Sequence, residues 1–492
     1  MRLDPDRVNA MASVTFRAFD YRADTTFVAA QYRFAGDEPR GWRIERDGRQ
    51  LLELGPGFRL LRVRQCGVCS TDLARHHLPF PLPQVIGHEV IAVDERGARF
   101  AVEINASHTA RGVAHDCAFC RAGLGTHCPD RVTLGIDALP GGFGPWILAP
   151  VAACVAIPPQ VQDSTAVLVE PFAAALHAVE TIAPRPGDRV AVLGPRRLGM
   201  LVVAALAGWR RAMRAKGGDF VVGAVVRDPA LAKLAATFGA SEVSVLHDGA
   251  EVPAGAFDVV IDTTGNPAGL ATAVRLARRE VHLKSTHGQA SCGLQHLTGL
   301  VVDELGLARF PDSETAAGAA ALRRARVAWL AATEPPAWLA ACAEVQRGEA
   351  AKLAREVWAT TKGLPRADLA VASDAAGIDA AIRPVPGVER SLVRPRGRIL
   401  LCHANAAAAE TSPLLAAIRD RGLVLSSSRC GDFRAAIDLL ANDPELQRLG
   451  ERLVTHHFPI ADLPRAFAVA RGRGCIKAVI EHETRGATSP SE

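Results

Sequence analysis

The sequence predicts an α/β protein in two parts, a β-rich region followed by a doubly wound parallel sheet. Three observations carry that prediction. Residues 13–65 run in short alternating segments (VTFRAFDY, TTFVAAQYRF, GWRIERD, LLELGPGFRLLRVRQC), broken at turn residues such as Asp37, Gly48 and Pro56. Alternation with period two marks antiparallel strands of a barrel or sandwich. From about residue 165 the pattern changes: TAVLVEPFAAALHAVETI (165–182) has helical spacing, and PGDRVAVLG (186–194), VVGAVV (221–226) and FDVVIDTTG (257–265) read as buried strands with helices between them. Such alternation builds a parallel layer. Finally, 492 residues at about 150 per domain give room for two or three domains.

Composition excludes several classes. Apolar residues make up 49% and charged residues 22%, ordinary globular values that rule out a wholly disordered or collagen-like chain. Of 57 basic side chains only six are Lys, no dense basic run occurs, and Tyr21 and Tyr32 are the only tyrosines. Neither an electrostatic track nor a stacking platform for nucleic acid is present. The most apolar stretch, Met200 to Trp209, runs into Arg210 and Arg211, well short of the roughly 20 residues that a membrane span needs. The opening MRLDPDRVNAMASV, in which Met11 is an alternative start, has no apolar segment of a secretory leader. Eleven cysteines are then expected as thiols or metal ligands in the reducing cytoplasm.

Later elements are less regular. Residues 313–365 are Ala-rich and mostly helical in pattern. ADLAVASDAAG (367–377) then echoes FDVVIDTTG, and LVRPRGRILLCH (392–403) loosely echoes LARREVHLKSTH (276–287). Two readings stand: partial duplication of one βαβ element, or an insertion with chance similarity between buried strands. The stretch 453–482 reads as strand, helix, strand, and the polar tail TRGATSPSE as frayed.

Three constellations carry chemistry. QCGVCSTDL (65–73), IGHEV (86–90) and Glu170 in LVEPF supply Cys, His and Glu, three ligands with one position open, as catalytic zinc sites have. CAFCRAGLGTHC supplies Cys117, Cys120 and Cys128, a structural zinc lobe short of one ligand. Ala114 falls where a fourth Cys belongs, with His115 and Asp116 as substitutes; otherwise the lobe is vestigial with free thiols. The third is AVLGPRRLGM (191–200), between a strand and a helix. A dinucleotide turn uses three glycines so that backbone can approach the pyrophosphate. Gly194 and Gly199 fit the first and third positions, Arg196 takes the second, and Arg197 and Leu198 lie between. At the next strand end, the slot for an acid on the ribose of NAD holds Val226, followed by Arg227. That favours NADP, with Asp228 as a route back to NAD.

Together these residues resemble the zinc-dependent medium-chain alcohol dehydrogenase family, and within it the threonine, polyol and glucose dehydrogenase branch. The chain order agrees: CGVCSTD, GHE, the Cys lobe, GGFGPWILAP, VEPFAAALHAVE, then PGDRVAVLG. The resemblance covers about 50–310 and 395–485. It implies a GroES-like catalytic domain over 1–170 with a C-terminal return at 450–492, and a Rossmann domain over 171–449 holding the insertion or duplication at 311–394. It implies Cys69, His88 and Glu170 as zinc ligands, with Glu89 beside the metal. Thr71 would relay the substrate proton and Asp72 would orient His88. The implied activity is hydride transfer between a secondary alcohol (a polyol or sugar) and NADP or NAD, in a homodimer or homotetramer paired through the Rossmann sheet edge. The alternative is a zinc-binding, non-redox scaffold or sensor, suggested by Arg196 and the interrupted Rossmann region. Further departures are the loop SHTARGV before the Cys lobe and an extended N-terminus.

Overall fold

The strand Phe58–Gly67 organises the site, because its neighbours carry the remaining motifs. It pairs antiparallel with Glu89–Val93, Trp146–Pro150 and Lys477–Glu481. The Gly67↔Glu89 register sets the turn at Cys69 beside the Gly-His-Glu segment. These strands belong to a seven-stranded sheet whose core includes Phe58, Leu61, Phe143, Ile147 and Ile480. The alternating segments before it form a separate four-stranded antiparallel sheet, Ala12–Tyr21, Phe27–Asp37, Gly41–Arg46 and Arg49–Leu54. Period-two spacing turns Tyr32, Phe34, Trp42 and Ile44 inward.

The computed structural model describes residues 12–246, 252–285, 288–311, 320, 322–358, 367–384, 391–402 and 412–482. Met11 and the opening segment before it, Thr286 and the tail TRGATSPSE lie outside these. The chain forms two units, Met1–Ala173 with Asp432–Glu492, and Ala174–Gly431. No helix among the described residues is long and apolar enough to cross a membrane.

The second unit is built on one eleven-stranded sheet. Its order from one edge is Glu242–Val245, Val221–Val226, Arg189–Leu193, Phe257–Asp262, Ala277–Leu283, Val424–Ser427, Gly306–Arg309, Val393–Leu401, Ala367–Ala372, Arg326–Trp329 and Glu344–Arg347. All neighbours are parallel except the central pair, which meets antiparallel at Leu307↔Leu425. The first six strands follow the Rossmann order.

The other five repeat it. RVAWL (326–330) matches RVAVL (189–193), and Ala367–Ala372 lies beside the first as Phe257–Asp262 does beside the second. The Arg189 N–H donates to Asp258 and the Arg326 N–H to Asp368, at 2.8 and 2.9 Å. Arg278 and Arg394 each add a guanidinium to the same carboxylates. Both repeats break register one residue into the next strand pair, between Phe257 and Val259 and between Ala367 and Leu369. Last, Ala277–Leu283 pairs with Val424–Ser427, whereas Val393–Leu401 pairs with Gly306–Arg309. Each repeat therefore takes its final strand from the other. Leu307 and Leu425 are equivalent by register and face each other on the pseudo-twofold axis.

Of the two readings of residues 311–394, this geometry favours duplication. It also corrects the mostly helical reading of 313–365: two strands, Arg326–Trp329 and Glu344–Arg347, run through that segment. Alanine lent them a helical appearance, while pairing in the sheet decided otherwise.

Asp368 offers a direct test of the second repeat. Burial raises its carboxyl, but Arg326 and Arg394 outweigh that and hold it at about 2. A depressed acid stabilises the fold above its ordinary value of 3.8, and that contribution is lost as pH falls through the folded value. Asp368→Asn is expected to cost at most about 2 kcal/mol at neutral pH. It should also flatten the loss of stability between about pH 4 and 2, as read by urea unfolding.

Candidate metal centres and coenzyme turn

Cys69 stands at the mouth of the short helix Ser70–Leu73, just past the end of Phe58–Gly67. Its N–H donates to Asp72 Oδ2 at 2.8 Å, and Asp72 Oδ1 lies 3.2 Å from His88 Nδ1. One buried carboxylate thus holds the Cys69 turn and orients the imidazole, leaving Nε2 free to face a metal. Glu89 follows His88 at the start of its strand. Its Oε2 accepts from Lys477, which also reaches Val68 O. A Cβ at Gly67 would lie 2.1 Å from that oxygen, so glycine there keeps room for the carboxylate.

Ligand atoms of Cys69, His88 and Glu89 all lie within 4.8 Å of one another. Cys66, three residues before Cys69, is buried in the strand and donates weakly to Gly67 O. Glu89 Oε1 is buried without a hydrogen-bond partner among the described residues. An orphaned carboxylate oxygen beside a thiol and an oriented imidazole is the donor set that a zinc ion satisfies. Thr71, in the same short helix, is half-buried.

Glu170 differs from expectation. It opens the helix Val169–Ile182 but does not join the cluster; Glu89 takes the third place. Burial pushes Glu170 up to about 7, with His88 opposing and Glu89 reinforcing the rise.

The Cys lobe gains the ligand that spacing did not find. His108, in the loop SHTARGV, joins Cys117, Cys120 and Cys128 within 4.8 Å. Cys117 and Cys128 sulfurs are 3.9 Å apart, and His108 Nδ1 lies 3.8 Å from Cys120 Sγ and 3.4 Å from Cys128 Sγ. Tetrahedral zinc with ordinary bond lengths has ligand separations of about 3.6–3.8 Å. The fit is close, and all eleven cysteines are free thiols. Local sequence explains the placement. Ser107 caps the short helix His108–Arg111 by accepting from the Ala110 N–H, and Gly112 ends it in the left-handed region at φ 67°. The expected substitutes do not occupy the fourth position: His115 instead lies against the His108 ring at 5.4 Å.

In the second unit, Gly194 sits at φ 69° directly after the strand Arg189–Leu193, and a Cβ there would lie 2.6 Å from Thr264 Cγ2. The helix Arg197–Arg214 begins two residues after Pro195. A Cβ on Gly199 would meet Thr263 Oγ1 at 2.6 Å, so this glycine allows close helix–strand packing. Arg196, Arg197 and Leu198 are half-buried around the turn. Arg227 is exposed past the next strand, and Asp228 accepts from the Ala230 N–H at 2.9 Å, capping its helix. Lys284, just past the strand Ala277–Leu283, is drawn inward onto Ser428 and Arg429 carbonyls.

Comparison with known proteins agrees with this geometry. Residues 55–159 match the alcohol dehydrogenase GroES-like domain. L-threonine 3-dehydrogenase of Rhizobium etli is 29% identical over 174 residues, 32% of this chain and 49% of that protein. Sorbitol dehydrogenase of Halalkalibacterium halodurans is 26% identical over 249 residues, 48% of this chain and 68% of that protein. L-idonate 5-dehydrogenase from Escherichia coli aligns in structure with a TM-score of 0.57 at 15% identity, over 96% of this chain and 100% of that one. Over residues 55–159 the chain is similar to the GroES-like domain of alcohol dehydrogenases, and its fold is that of the dehydrogenase structures. It spans about half the length, 49%, of the threonine dehydrogenases it matches.

Two residues beside these cysteines escaped sequence reasoning. Lys477 lies 388 positions from Glu89 and reads locally as one basic residue before a strand. His108 lies nine residues upstream of Cys117, in a loop. Only a search for any His near an incomplete Cys set would have raised it.

Proposed function

We propose that the chain is a zinc-dependent oxidoreductase that moves a hydride between a secondary alcohol, of the polyol or sugar class, and a nicotinamide dinucleotide. The cluster of Cys69, His88 and Glu89, with one Glu89 oxygen unbonded, carries the reading. Those three would hold the metal, with Glu170 near enough to feel the charges of His88 and Glu89. Zinc there supplies a Lewis acid that favours loss of the alcohol proton, and the nicotinamide accepts the hydride. Asp72 keeps His88 in the tautomer that presents Nε2. Lys477 neutralises Glu89, so that the donor set carries less surplus negative charge. The Thr71 hydroxyl takes the departing proton and passes it outward.

The turn from Gly194 to Gly199 would cradle the pyrophosphate, with Arg196, Arg197 and Leu198 around it. Arg227, without an acid in the Val226 slot, would meet a 2′-phosphate, and the capping role of Asp228 leaves it poorly placed for a ribose diol. NADPH is therefore expected to bind more tightly than NADH when nicotinamide fluorescence is followed on titration. Arg227→Ala should weaken NADPH about tenfold or more with little change for NADH, the worth of one charged hydrogen bond. If neither coenzyme binds to folded, zinc-loaded protein, the redox reading fails and the non-redox scaffold takes its place.

The four donors His108, Cys117, Cys120 and Cys128 would hold a second, structural zinc. Metal analysis should then find two zinc ions per chain. His108→Ala should remove one and lower the unfolding midpoint, since structural zinc contributes folding energy outright. Two ions retained in that variant would exclude His108 as a ligand. A homo-oligomer paired through the Rossmann edge has little support here, because Val424–Ser427 already pairs with Gly306–Arg309 of the same chain.

A further inference from the structure

The two repeats of the second unit differ most at the carboxyl ends of their strands. Leu193 leads into Gly194-Pro195-Arg196-Arg197-Leu198-Gly199, whereas its counterpart Leu330 leads into Ala331-Ala332-Thr333-Glu334-Pro335-Pro336. Both glycines are gone, and two prolines offer no N–H, so the second turn cannot cradle a pyrophosphate. A crevice nevertheless remains. A cavity of about 520 Å³ opens at Ala331, at Gly348 and Glu349 past the neighbouring strand, and along Ala380 and Arg383 on the helix Ala375–Ile382 and just beyond it. It lies where Arg326–Trp329 leads one way to Glu344–Arg347 while the chain returns on the other side to Ala367–Ala372. Ligands of open α/β sheets bind at such reversals of strand order, and the volume falls within the roughly 300–1,000 Å³ of small-molecule sites.

Register identifies what the crevice fits. Leu193 pairs with Val225, and Trp329 with Arg347. Since Trp329 corresponds to Val192, Gly348 corresponds to Val225 and Glu349 to Val226. Glu349 thus occupies the slot that takes the ribose diol of a nucleotide, the slot that holds valine in the first repeat. Its carboxylate is exposed and makes no cap to the helix it precedes. Ala350, Ala351, Gly377 and Ala380, with Trp329 and Leu330, give it apolar walls suited to a planar base. Arg383 places a cation at the rim, beside Arg347, whose guanidinium is paired with Glu334.

We propose that the second repeat binds a ribonucleoside monophosphate, its ribose diol on Glu349, at a site separate from the coenzyme turn of the first repeat. The test is calorimetric titration of the full chain, saturated with NADPH, with AMP and with 2′-deoxy-AMP. One AMP per chain is expected, with 2′-deoxy-AMP at least tenfold weaker. Glu349→Gln should weaken AMP at least tenfold and erase the preference for the 2′-hydroxyl. Ala380→Trp, which fills the slot, should abolish AMP binding while NADPH binding persists. Absence of AMP binding, or binding that both variants leave unchanged, overturns the proposal. If NADPH itself does not bind, the coenzyme reading fails alone: AMP binding without it that is lost in Ala380→Trp still places a nucleotide in the second repeat.

Discussion

His88→Ala is expected to lower turnover at least about a thousandfold while coenzyme affinity stays within a factor of two or three. A Lewis acid is worth several kcal/mol of transition-state stabilisation, and about 4 kcal/mol is a thousandfold in rate. His88 is buried at 3% exposure and held by Asp72, so alanine leaves no neutral nitrogen to replace it. Zinc content should fall by one ion per chain, and the ion lost should not be the one in the Cys lobe. Turnover within tenfold of the parent, with zinc retained, would remove His88 from the chemistry. Glu89→Gln and Glu170→Gln, assayed beside it, separate the two carboxylates. Glu89 supplies the orphaned oxygen, so its variant should lose the ion more readily.

The grouping of side chains was legible in the sequence where it is local. Cys69, Thr71 and Asp72 lie on one turn, and His88 follows after a single excursion, so the pattern itself shows the grouping. The parallel strands were legible as well, because VVGAVV and FDVVID are short apolar runs with helices between them. What escaped was set by pairing over long distances in sequence. Lys477 reaches Glu89 only because Lys477–Glu481 returns to lie against Phe58–Gly67. RVAW, inside an alanine-rich stretch, looked helical until its match to RVAV gave it a place in the sheet. The exchange of final strands between repeats had no local signature, since Gly306–Arg309 and Val424–Ser427 read alike wherever they pair. Duplication and exchange together give the unit its pseudo-twofold axis. The second copy is thereby free to lose the glycine turn while keeping the strands that support the first.

Lys477→Met is expected to cost about 3–5 kcal/mol of stability, the usual consequence of leaving one buried charge without its partner. The side chains of Lys477 and Glu89 are 7% and 1% exposed. Burial alone would depress the ammonium, yet Glu89 beside it outweighs burial and pushes its pKa up. A base raised in this way contributes its full stabilisation below its ordinary value of 10.5, so the deficit should be present at pH 7 and fade only in strong alkali. Urea unfolding at neutral pH gives the measurement. The double variant with Glu89→Gln should recover much of the loss, because removing both charges costs less than stranding one. A cost below about 1 kcal/mol for Lys477→Met alone would mean that water, rather than the ammonium, compensates Glu89. The same cycle bears on the metal: with the ammonium gone, Glu89 offers a cation more uncompensated charge, so zinc should bind the single variant at least as tightly as the parent. Stability and metal affinity would then move in opposite directions. A purely structural role for Lys477 predicts that both fall together.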